Sequence, residues 1–363
     1  MNYPLGIMTL KPDPSHPYFK EIGRHSASYH IDLYLFSPQD ISPSTETVEG
    51  FKFIRENGTW EHTAFDIPTF IYDRTYYDKS LQSKQARAVV QWLKNKPDIR
   101  FLGYGLPNKW HLYEKLKDSP LSSYIPETFL LNNHFHLFNL LIKHKDIIIK
   151  PVDGAHGFAV YHVMFSNNEV KVCTTKKQQI AEQSFSSKTT FLKWAERLLE
   201  KYTFIAQKRI QNRTVHDTPF DFRILLNKDK DGDWREFQRA IREGPEGGIL
   251  TNISRGGSYF SRDEWESRYP KTDWRFVNAE LNQIMNELPH LLEDHFSCLF
   301  ELGVDVLLAR DNSLWILDIN SKPGHKIVDT LGSKKLDSLH QSPLDYCEYL
   351  YSRSLPSLRR GDF

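Results

Sequence analysis

Short apolar blocks separated by polar turns run through the first third of the chain. Strand-like runs occur at 5–8, 31–36 and 69–72, and helical spacing of apolar residues occurs near 18–28 and over 84–93. Strands that alternate with amphipathic helices are typical of helices packed on a partly parallel sheet. The pattern therefore predicts an N-terminal α/β domain that ends near residue 105.

The pattern beyond this point predicts a mixture of strands and helices. Strands are predicted at 125–130, 146–151, 159–163, 202–207, 220–226 and 235–241, and helices at 110–117, 190–201 and 277–294. A β-hairpin is predicted over 303–319, because two apolar runs rich in β-branched and bulky residues flank the turn-forming segment 310–313.

Bulk composition narrows the class of protein. With 363 residues, of which 39% are hydrophobic and 13% aromatic, the chain suggests two or three packed units with real cores. Lys plus Arg (47) nearly balance Asp plus Glu (46), so no general attraction to nucleic acid is expected. Three widely spaced cysteines fit a reducing compartment and offer neither a disulfide framework nor a zinc site.

The sequence shows no recognisable targeting or membrane segment. Its first residues lack the basic and long apolar regions of a signal peptide. No run approaches the roughly 20 apolar residues that a membrane span needs. We therefore expect a soluble, cytoplasmic protein that does not insert into membranes.

Each strand of the predicted hairpin carries an acidic residue that interrupts the apolar run. Asp305 lies on the first strand, and Asp318 lies on the second, two residues before Asn320 on the same side of that strand. A carboxylate in an apolar strand is costly unless it is paired or bound to a cation. Three hard oxygen ligands of this kind suit Mg²⁺ bound to a nucleotide. The alternative is a hairpin whose polar residues face solvent.

A lysine ends the strongly apolar strand at 146–151. Lys150 is followed by a loop that contains Gly154 and Gly157. Such a lysine can place a positive charge on a phosphate, and glycines let backbone N–H groups approach phosphate oxygens closely. The alternative is a hairpin turn beside a lysine that extends along the apolar surface toward solvent.

Two later segments carry arginines suited to anions. Arg223 interrupts the apolar run at 220–226, and Arg242 ends a strand that leads into a glycine-rich segment with Asn252 and Arg255. Arginines, asparagine and glycine pairs are poor core material but good anion-binding material. The alternatives are an ordinary buried strand pair and an exposed, flexible loop.

The order of these features is more specific than any one of them. A lysine strand with a glycine loop, a strand ending at Gln207, an arginine strand, an arginine–glycine loop and an acid-x-Asn strand follow one another. This order resembles the ATP-grasp superfamily over about residues 105–330, in particular its glutathione-synthetase and ribosomal-protein glutamate-ligase branch. As a whole, the chain looks most like the YheC/YheD family of endospore coat-associated ATP-grasp proteins.

The resemblance implies an architecture of α/β and α+β units with the ATP-grasp fold. An N-terminal α/β domain would occupy 1–105, and a small subdomain with the lysine strand and glycine flap would occupy 106–205. A large subdomain with the metal-binding hairpin would occupy 206–363. ATP would lie between the two subdomains, with Mg²⁺ as the second cofactor.

The resemblance also implies a role for each matching residue. The nucleotide-binding residues would be Lys109, Lys150, the flap residues Gly154, Ala155, His156 and Gly157, and the hinge residues Gln207, Lys208, Arg209 and Ile210. The hinge would line the adenine with its backbone groups. The Mg²⁺ ligands would be Asp305, Asp318 and Asn320, and the groups facing the transferred phosphoryl group and the acceptor carboxylate would be Arg223, Arg242, Asn252 and Arg255.

Three positions depart from the family pattern. Asp318 stands where the family usually has Glu, so the metal geometry must shift. Leu250 stands where relatives often carry an arginine that binds substrate, and Lys208 stands where an acidic or neutral hinge residue is more usual. None of the three removes a core phosphate-binding or metal-binding group.

The activity that the resemblance implies is an ATP- and Mg²⁺-dependent carboxylate–amine, or carboxylate–thiol, ligase that works through an acyl phosphate. Its partners would be small-molecule or peptide carboxylates and amines. A role in spore coat or envelope formation would add spore coat proteins as partners and the spore coat as a location. The alternatives are a non-catalytic coat-associated protein that keeps the fold and binds nucleotide, and a kinase that uses the same nucleotide site.

Overall fold

A computed structural model of the protein describes residues 2–78, 80–154, 157–176, 179–212, 214, 216–248, 251, 257–331 and 333–358. Three β-sheets with flanking helices make up this part of the chain. None of its helices combines the length and the apolar character needed to cross a membrane.

The first sheet has seven strands and is partly parallel, as the sequence predicts. Its strands are β1 (Tyr3–Met8), β2 (Ile31–Phe36), β3 (Ile41–Ser42), β4 (Thr47–Ile54), β5 (Thr59–Asp66), β6 (Phe70–Asp73) and β7 (Arg100–Phe101). They lie in the order β3-β4-β2-β1-β6-β7, with β5 paired to β4. The parallel pairs are β1–β2, β1–β6 and β6–β7. Helices α1 (Pro17–His25) and α2 (Leu81–Lys94) belong to this unit.

The second sheet has six antiparallel strands. They are β8 (Thr128–Leu130), β9 (Asp146–Pro151), β10 (Tyr161–Ser166), β11 (Glu169–Lys176), β12 (Gln179–Phe185) and β13 (Phe204–Lys208), in the order β12-β11-β10-β9-β13-β8. Helices α3 (Lys109–Leu116), α4 (His134–His144) and α5 (Lys188–Leu199) accompany them. The Asn108 side chain caps α3 by accepting a 3.1 Å hydrogen bond from the His111 amide, which places Lys109 in the first turn of the helix.

The third sheet has five antiparallel strands and carries the predicted hairpin. Its strands are β14 (Phe220–Lys228), β15 (Trp234–Glu243), β16 (Ser258–Phe260), β17 (Glu301–Leu308) and β18 (Leu314–Asn320), in the order β16-β15-β14-β17-β18. Helices α6 (Arg262–Arg268), α7 (Trp274–His295), α8 (Lys326–Leu331) and α9 (Ser333–Leu358) follow or interrupt them. In the β17–β18 turn, Asn312 takes a φ of 65°, a left-handed conformation that asparagine tolerates better than most residues.

Helix α9 packs against the first sheet, although it lies far from that sheet in sequence. Its residues Leu344 and Tyr346 share a buried core with Leu5 and Leu33 of the first sheet. The rings of Tyr3 and Tyr351 stack with centroids 4.0 Å apart. The last helix of the predicted large subdomain therefore completes the core of the N-terminal domain, and the boundaries at 105 and 205 stay predictions.

The sequence analysis missed the strands β3–β5, β7, β11, β12 and β16 and the helices α4, α6, α8 and α9. Strand β5 contains no run of apolar residues, the pattern that marks a buried strand in sequence. In the structure it accordingly has no buried residue. Helix α4 begins after Asn133, whose side chain accepts a 2.9 Å hydrogen bond from the His136 amide. That capping residue is the sequence signal that could have found this helix.

Candidate functional site

One large cleft, with a volume of about 1530 Å³, is lined by residues from all three sheets. The predicted site residues that line it are Lys109, Lys150, Gly154, Gly157, Gln207, Lys208, Arg209, Ile210, Arg223, Arg242, Asp305, Asp318 and Asn320. The predicted residues Ala155, His156, Asn252 and Arg255 lie outside the described residues. The structure therefore brings every described member of the predicted set to the same cleft.

The hairpin places its two acids side by side. Asp305 on β17 pairs with Asp318 on β18 in the antiparallel register, and directly opposed residues of such a pair have neighbouring side chains on one face. The ammonium of Lys109 lies 2.5 Å from Asp318 Oδ1, while Asn320 Nδ2 is 3.4 Å from Asp318 Oδ2. The side chains of Lys109 and Asp318 are only 16% and 23% exposed, so this ion pair belongs to the cleft wall.

A β-bulge in the same hairpin creates the binding partner of Lys150. Asp305 is opposite Asp318 and Val306 is opposite Ile316, so Leu317 has no counterpart on β17. A bulged residue leaves the ladder locally unpaired. The Leu317 carbonyl oxygen accepts a 2.8 Å hydrogen bond from Lys150 Nζ, which fixes this lysine at the edge of the acidic pair.

The electrostatic environment of Lys150 is unusual for a lysine. Loss of hydration on burial, together with the nearby charge of Lys109, lowers the pKa of Lys150 to about 8, although Asp318 and Asp305 act in the opposite direction. Within the described residues, its ammonium has no carboxylate at ion-pair distance, in contrast to that of Lys109. A bound anion would supply the missing negative charge and restore the pKa.

The carboxylate of Asp305 forms ion pairs with two arginines. Arg223 Nη1 lies 2.7 Å from Asp305 Oδ1, and Arg242 Nη2 lies 2.9 Å from Asp305 Oδ2. Arg242 also makes a bidentate contact with Asp221 at 2.7 and 2.8 Å. The antiparallel register explains the cluster, because β14 places Arg223 opposite Asp305 on β17 and Asp221 opposite Arg242 on β15.

The pKa values of the two acids in this cluster move in opposite directions. Burial opposes ionisation of Asp305, but Arg242 and Arg223 outweigh it and hold the pKa of Asp305 below its ordinary value. Burial dominates for Asp221 and raises its pKa in spite of Arg242. Thr251 Oγ1 donates a 2.5 Å hydrogen bond to Asp221 Oδ2.

The donor set fits a divalent cation at one position better than at the other. Asp318 and Asn320 offer hard oxygen atoms at the cleft wall. Among the residues that the structure describes, the partner of Asp318 Oδ2 is the Asn320 amide group at the long distance of 3.4 Å. Both oxygens of Asp305 already accept hydrogen bonds from guanidinium groups. Asp305 therefore has less capacity left for a metal than Asp318, and the three predicted ligands stay a prediction.

The side chains of Gln207 and Arg209 in the predicted hinge are bound to other residues of the protein. Gln207 Nε2 donates a 2.8 Å hydrogen bond to Thr128 Oγ1 on the neighbouring strand. Arg209 Nη1 lies 3.4 Å from Asp146 Oδ2 and 3.3 Å from His162 Nε2. The Arg209 side chain is thus held by the second sheet, which leaves backbone groups as the part of the hinge suited to a ligand.

The sequence analysis identified no residue of the N-terminal domain as part of the site. The residues that this domain adds to the cleft wall include Asp73, Tyr76, Tyr77, Arg87, Gln91, Lys94 and Tyr104. A buried network joins it to the third sheet, because Glu301 accepts hydrogen bonds from Arg74 at 2.5 Å and Tyr72 at 3.1 Å. Arg74 also donates a 2.8 Å bond to the Pro323 carbonyl oxygen beyond β18. More than 200 residues separate these partners, so no local pattern reveals them.

The charge of the cleft wall differs from that of the whole chain. Among the described lining residues, eleven are Lys or Arg and seven are Asp or Glu, whereas the chain as a whole has a net charge of +1. A wall with excess positive charge favours anionic ligands.

Comparisons with known proteins identify the family to which the chain is similar. The family model for YheC/D like ATP-grasp proteins matches residues 98–350. The chain is 32% identical over 349 residues to the endospore coat-associated protein YheC of Bacillus subtilis strain 168, covering 96% of both chains.

Solved structures share the fold at low sequence identity. The D-alanine-D-alanine ligase from Coxiella burnetii matches with a TM-score of 0.53 and 11% identity, covering 99% of both chains. The ATP-grasp ligase PsnB, in a complex with minimal precursor, Mg and ADP, matches with a TM-score of 0.51 and 12% identity, covering 94% of this chain and 98% of that one. These likenesses confirm the predicted ATP-grasp fold, which is that of ATP-dependent ligases, and with the family match they show that the chain belongs to the YheC/D-like ATP-grasp family.

Proposed function

We propose that this protein is an ATP- and Mg²⁺-dependent ligase that joins a carboxylate to an amine, or to a thiol, through an acyl phosphate. The observation that carries the proposal is the convergence of Lys109, Lys150 and Asp318 in one cleft with Arg223 and Arg242. Such a reaction brings two anions together, so its site needs cations and oxygen ligands in a fixed arrangement.

The lysine side of the cleft is suited to the phosphates of ATP. Lys109 and Lys150 both feel the charge of Asp318. In the part of the chain that the structure describes, the direct partner of Lys150 is a carbonyl oxygen and not a carboxylate. Phosphate oxygens would supply the anion that Lys150 lacks. The described hinge residues from Gln207 to Ile210 would hold the base, and PsnB, which has the same fold, was solved with ADP and Mg.

Asp318 and Asn320 are the residues that would hold Mg²⁺. When bound, the ion would neutralise phosphate charge and orient the oxygens for in-line transfer. When ATP binds, Lys109 would exchange its contact with Asp318 for a contact with a phosphate oxygen. The exchange replaces one anionic partner by another.

The proposed chemistry balances in two steps. An oxygen of the substrate carboxylate attacks the γ-phosphorus, the bond to the bridging oxygen breaks, and ADP leaves. The amine nitrogen then attacks the acyl carbon, inorganic phosphate leaves, and the nitrogen loses a proton. Arg223 and Arg242 lie at the wall where they would stabilise the negative charge of the transferred group.

A second function is a non-catalytic, coat-associated protein that binds nucleotide. The specific observation in its favour is that Arg223, Arg242 and Asp305 satisfy one another, as a structural cluster would. Either function would place the chain in the cytoplasm of a sporulating cell and then with spore coat proteins, as the name of the YheC relative suggests.

Carboxylate-dependent ADP release tests the proposal. The protein is incubated with ATP, Mg²⁺ and a panel of carboxylates, with hydroxylamine as a general amine that converts an acyl phosphate to a hydroxamate. A ligase releases ADP and forms hydroxamate only when a carboxylate is present. ATP binding without either product from any carboxylate supports the non-catalytic function, and a stable phosphorylated product that hydroxylamine does not consume supports a kinase.

A further inference from the structure

Helix α2 of the N-terminal domain presents one continuous side to the cleft. Arg87, Val90, Gln91 and Lys94 all line the cleft, and their spacing of three, four and seven residues places them on one helical face. The cleft thus extends from Lys109 and Lys150 to these four residues, which we call the α2 wall. The sequence analysis predicted no site residue on this helix.

Two of the cations on this wall, Arg87 and Lys94, make contacts other than ion pairs. The Arg87 guanidinium lies over the Tyr77 ring, 4.8 Å from its centroid, and Lys94 Nζ donates a hydrogen bond to the Tyr104 carbonyl oxygen. Within the described part of the chain, neither forms an ion pair with a carboxylate, in contrast to Lys109 and Arg223. The positive charge of this wall is therefore available to a ligand.

Asp73, the acid whose charge acts on Lys94, is already paired with a lysine. Asp73 Oδ2 lies 2.7 Å from Lys322 Nζ, and Thr75 donates to the same carboxylate through its amide at 2.9 Å. Burial lowers the pKa of Lys94, and the more distant Asp73 only partly offsets this effect. A half-buried ammonium without a direct counter-ion gains stability when an anion binds beside it.

Tyr76 lines the same cleft as Arg223, Lys94 and Arg87. Its hydroxyl accepts a 2.8 Å hydrogen bond from Arg74 and donates a 3.0 Å bond to the Lys322 carbonyl oxygen. Burial raises the pKa of the Tyr76 phenol, and the charge of Arg223 is among those that oppose this effect. Because Arg223 and the two α2 cations face one cleft, a ligand with two anionic groups would offer one group to Arg223 and the other to Lys94 and Arg87.

We propose that the carboxylate substrate of the ligase carries a second anionic group, which Lys94 and Arg87 bind at the α2 wall. The proposal rests on the proposed ligase function, because that function places the reacting carboxylate at the arginine cluster. A carboxylate and a phosphate would both satisfy the two cations, and the test distinguishes these two sources.

The test compares matched substrates in the hydroxylamine assay with the full-length protein. L-glutamate is compared with L-glutamine, and O-phospho-L-serine with L-serine, so that each pair differs in one anionic group. We expect the wild-type kcat/KM to favour one charged member by about tenfold or more, the usual value of a charge-assisted hydrogen bond. The pair that shows this preference identifies the second group as carboxylate or phosphate.

Three variants locate the effect. Lys94→Gln and Arg87→Gln should raise the KM for the charged member and leave the KM for ATP unchanged. Lys96→Gln is the matched control, because Lys96 lies two residues further along and pairs with Glu46, away from the cleft lining. Equal use of charged and neutral members, or a preference that survives in both α2 variants, would overturn the proposal.

A binding measurement separates this proposal from the ligase proposal. If no compound yields hydroxamate or ADP, the ligase proposal fails for this panel, and the same four compounds are titrated calorimetrically into the ADP-bound protein. Binding of a charged member that weakens in Lys94→Gln and persists in Lys96→Gln supports the anion-binding wall. Equal binding of both members of each pair, or no binding, rejects it.

Discussion

The ammonium of Lys109 and the carboxylate of Asp318 form a 2.5 Å ion pair across 209 residues of sequence. Lys109 comes from the first turn of α3, whereas Asp318 comes from the last strand of the third sheet. The pair joins α3 to the third sheet, at the place where the predicted phosphate-binding lysines meet the predicted metal ligands. It is the contact that nucleotide and metal would have to replace.

Replacing Asp318 by asparagine should separate nucleotide binding from turnover. The variant keeps the shape of the side chain but removes the charge that would hold Mg²⁺, so carboxylate-dependent ADP release should fall by about 100-fold. ATP affinity measured without Mg²⁺ should be equal or higher, since Lys109 loses its competing partner. The control is Asp311→Asn in the turn of the same hairpin. There the exposed Asp311 carboxylate accepts a hydrogen bond from the Ser313 amide. Wild-type turnover in Asp318→Asn would contradict a metal role for this residue.

Lys150 should make nucleotide affinity depend on pH. Its pKa is lowered to about 8, so the lysine is charged below that pH and loses its proton as the pH rises through it. Above the transition, ATP affinity should weaken by up to about tenfold per pH unit, as expected for the coupling of one proton. Titration of ATP between pH 7 and 10 measures this effect.

Lys150→Met is the variant that assigns the pH effect. It should bind ATP more weakly at pH 7 and should lack the transition near pH 8. Lys143→Met, at an exposed position of α4, should bind as the wild type does. A transition that persists in Lys150→Met would assign it to another group.

The arginine–aspartate cluster should be important for stability. Asp305→Asn leaves Arg223 and Arg242 buried with only part of their negative partners, so the free energy of unfolding should fall by about 3 kcal/mol. Asp229→Asn breaks a pair with the exposed Arg235 and should cost at most about 1 kcal/mol. Urea denaturation of both variants at pH 7 measures the difference, and equal midpoints would show that the cluster is not a stabilising unit.

Acid should weaken the same cluster. The pKa of Asp305 is held below its ordinary value in the folded protein, so its stabilising charge is fully present above the pKa of the unfolded chain. The contribution disappears as the pH falls through the lower folded value. The stability difference between wild type and Asp305→Asn should therefore shrink toward the acid end of a pH series.

Gly303 should be required for the position of Arg223. A Cβ atom at Gly303 would lie 2.7 Å from Arg223 Nη2 and 2.7 Å from Pro323 Cβ. Gly303→Ala should displace the guanidinium from Asp305 and lower both the melting temperature and ADP release. Gly324→Ala, where a Cβ meets no atom within 4 Å, should keep the wild-type melting temperature. Equal melting temperatures of the two variants would show that the Arg223 contact adapts without cost.

Several parts of the site could be predicted from sequence because they depend on local pattern. The apolar runs around 310–313 specify a hairpin, which brings Asp305 and Asp318 onto neighbouring strands. The bulge at Leu317, which sets Asp305 directly opposite Asp318, is not marked by this pattern. The apolar strand that Lys150 ends and the arginine strands with Arg223 and Arg242 were readable in the same way. The order of these segments was enough to indicate the ATP-grasp fold, which the comparisons confirm.

Other parts depended on packing between distant segments. The Lys109–Asp318 pair, the two arginines on Asp305, and the contact of Lys150 with the bulged Leu317 join separate elements. The same holds for the α2 wall and for α9, which packs on the first sheet.

Sequence by itself determined the strands that carry most of the predicted site residues, and which polar side chains those strands carry toward one face. Periodicity suffices for this because the side-chain direction repeats every two residues in a strand and every 3.6 in a helix. Tertiary structure alone decided which of these side chains meet, which charges are neutralised within the protein, and which remain for a ligand. Those outcomes depend on how three sheets pack against one another, and the energy of each ion pair depends on burial that no local pattern contains.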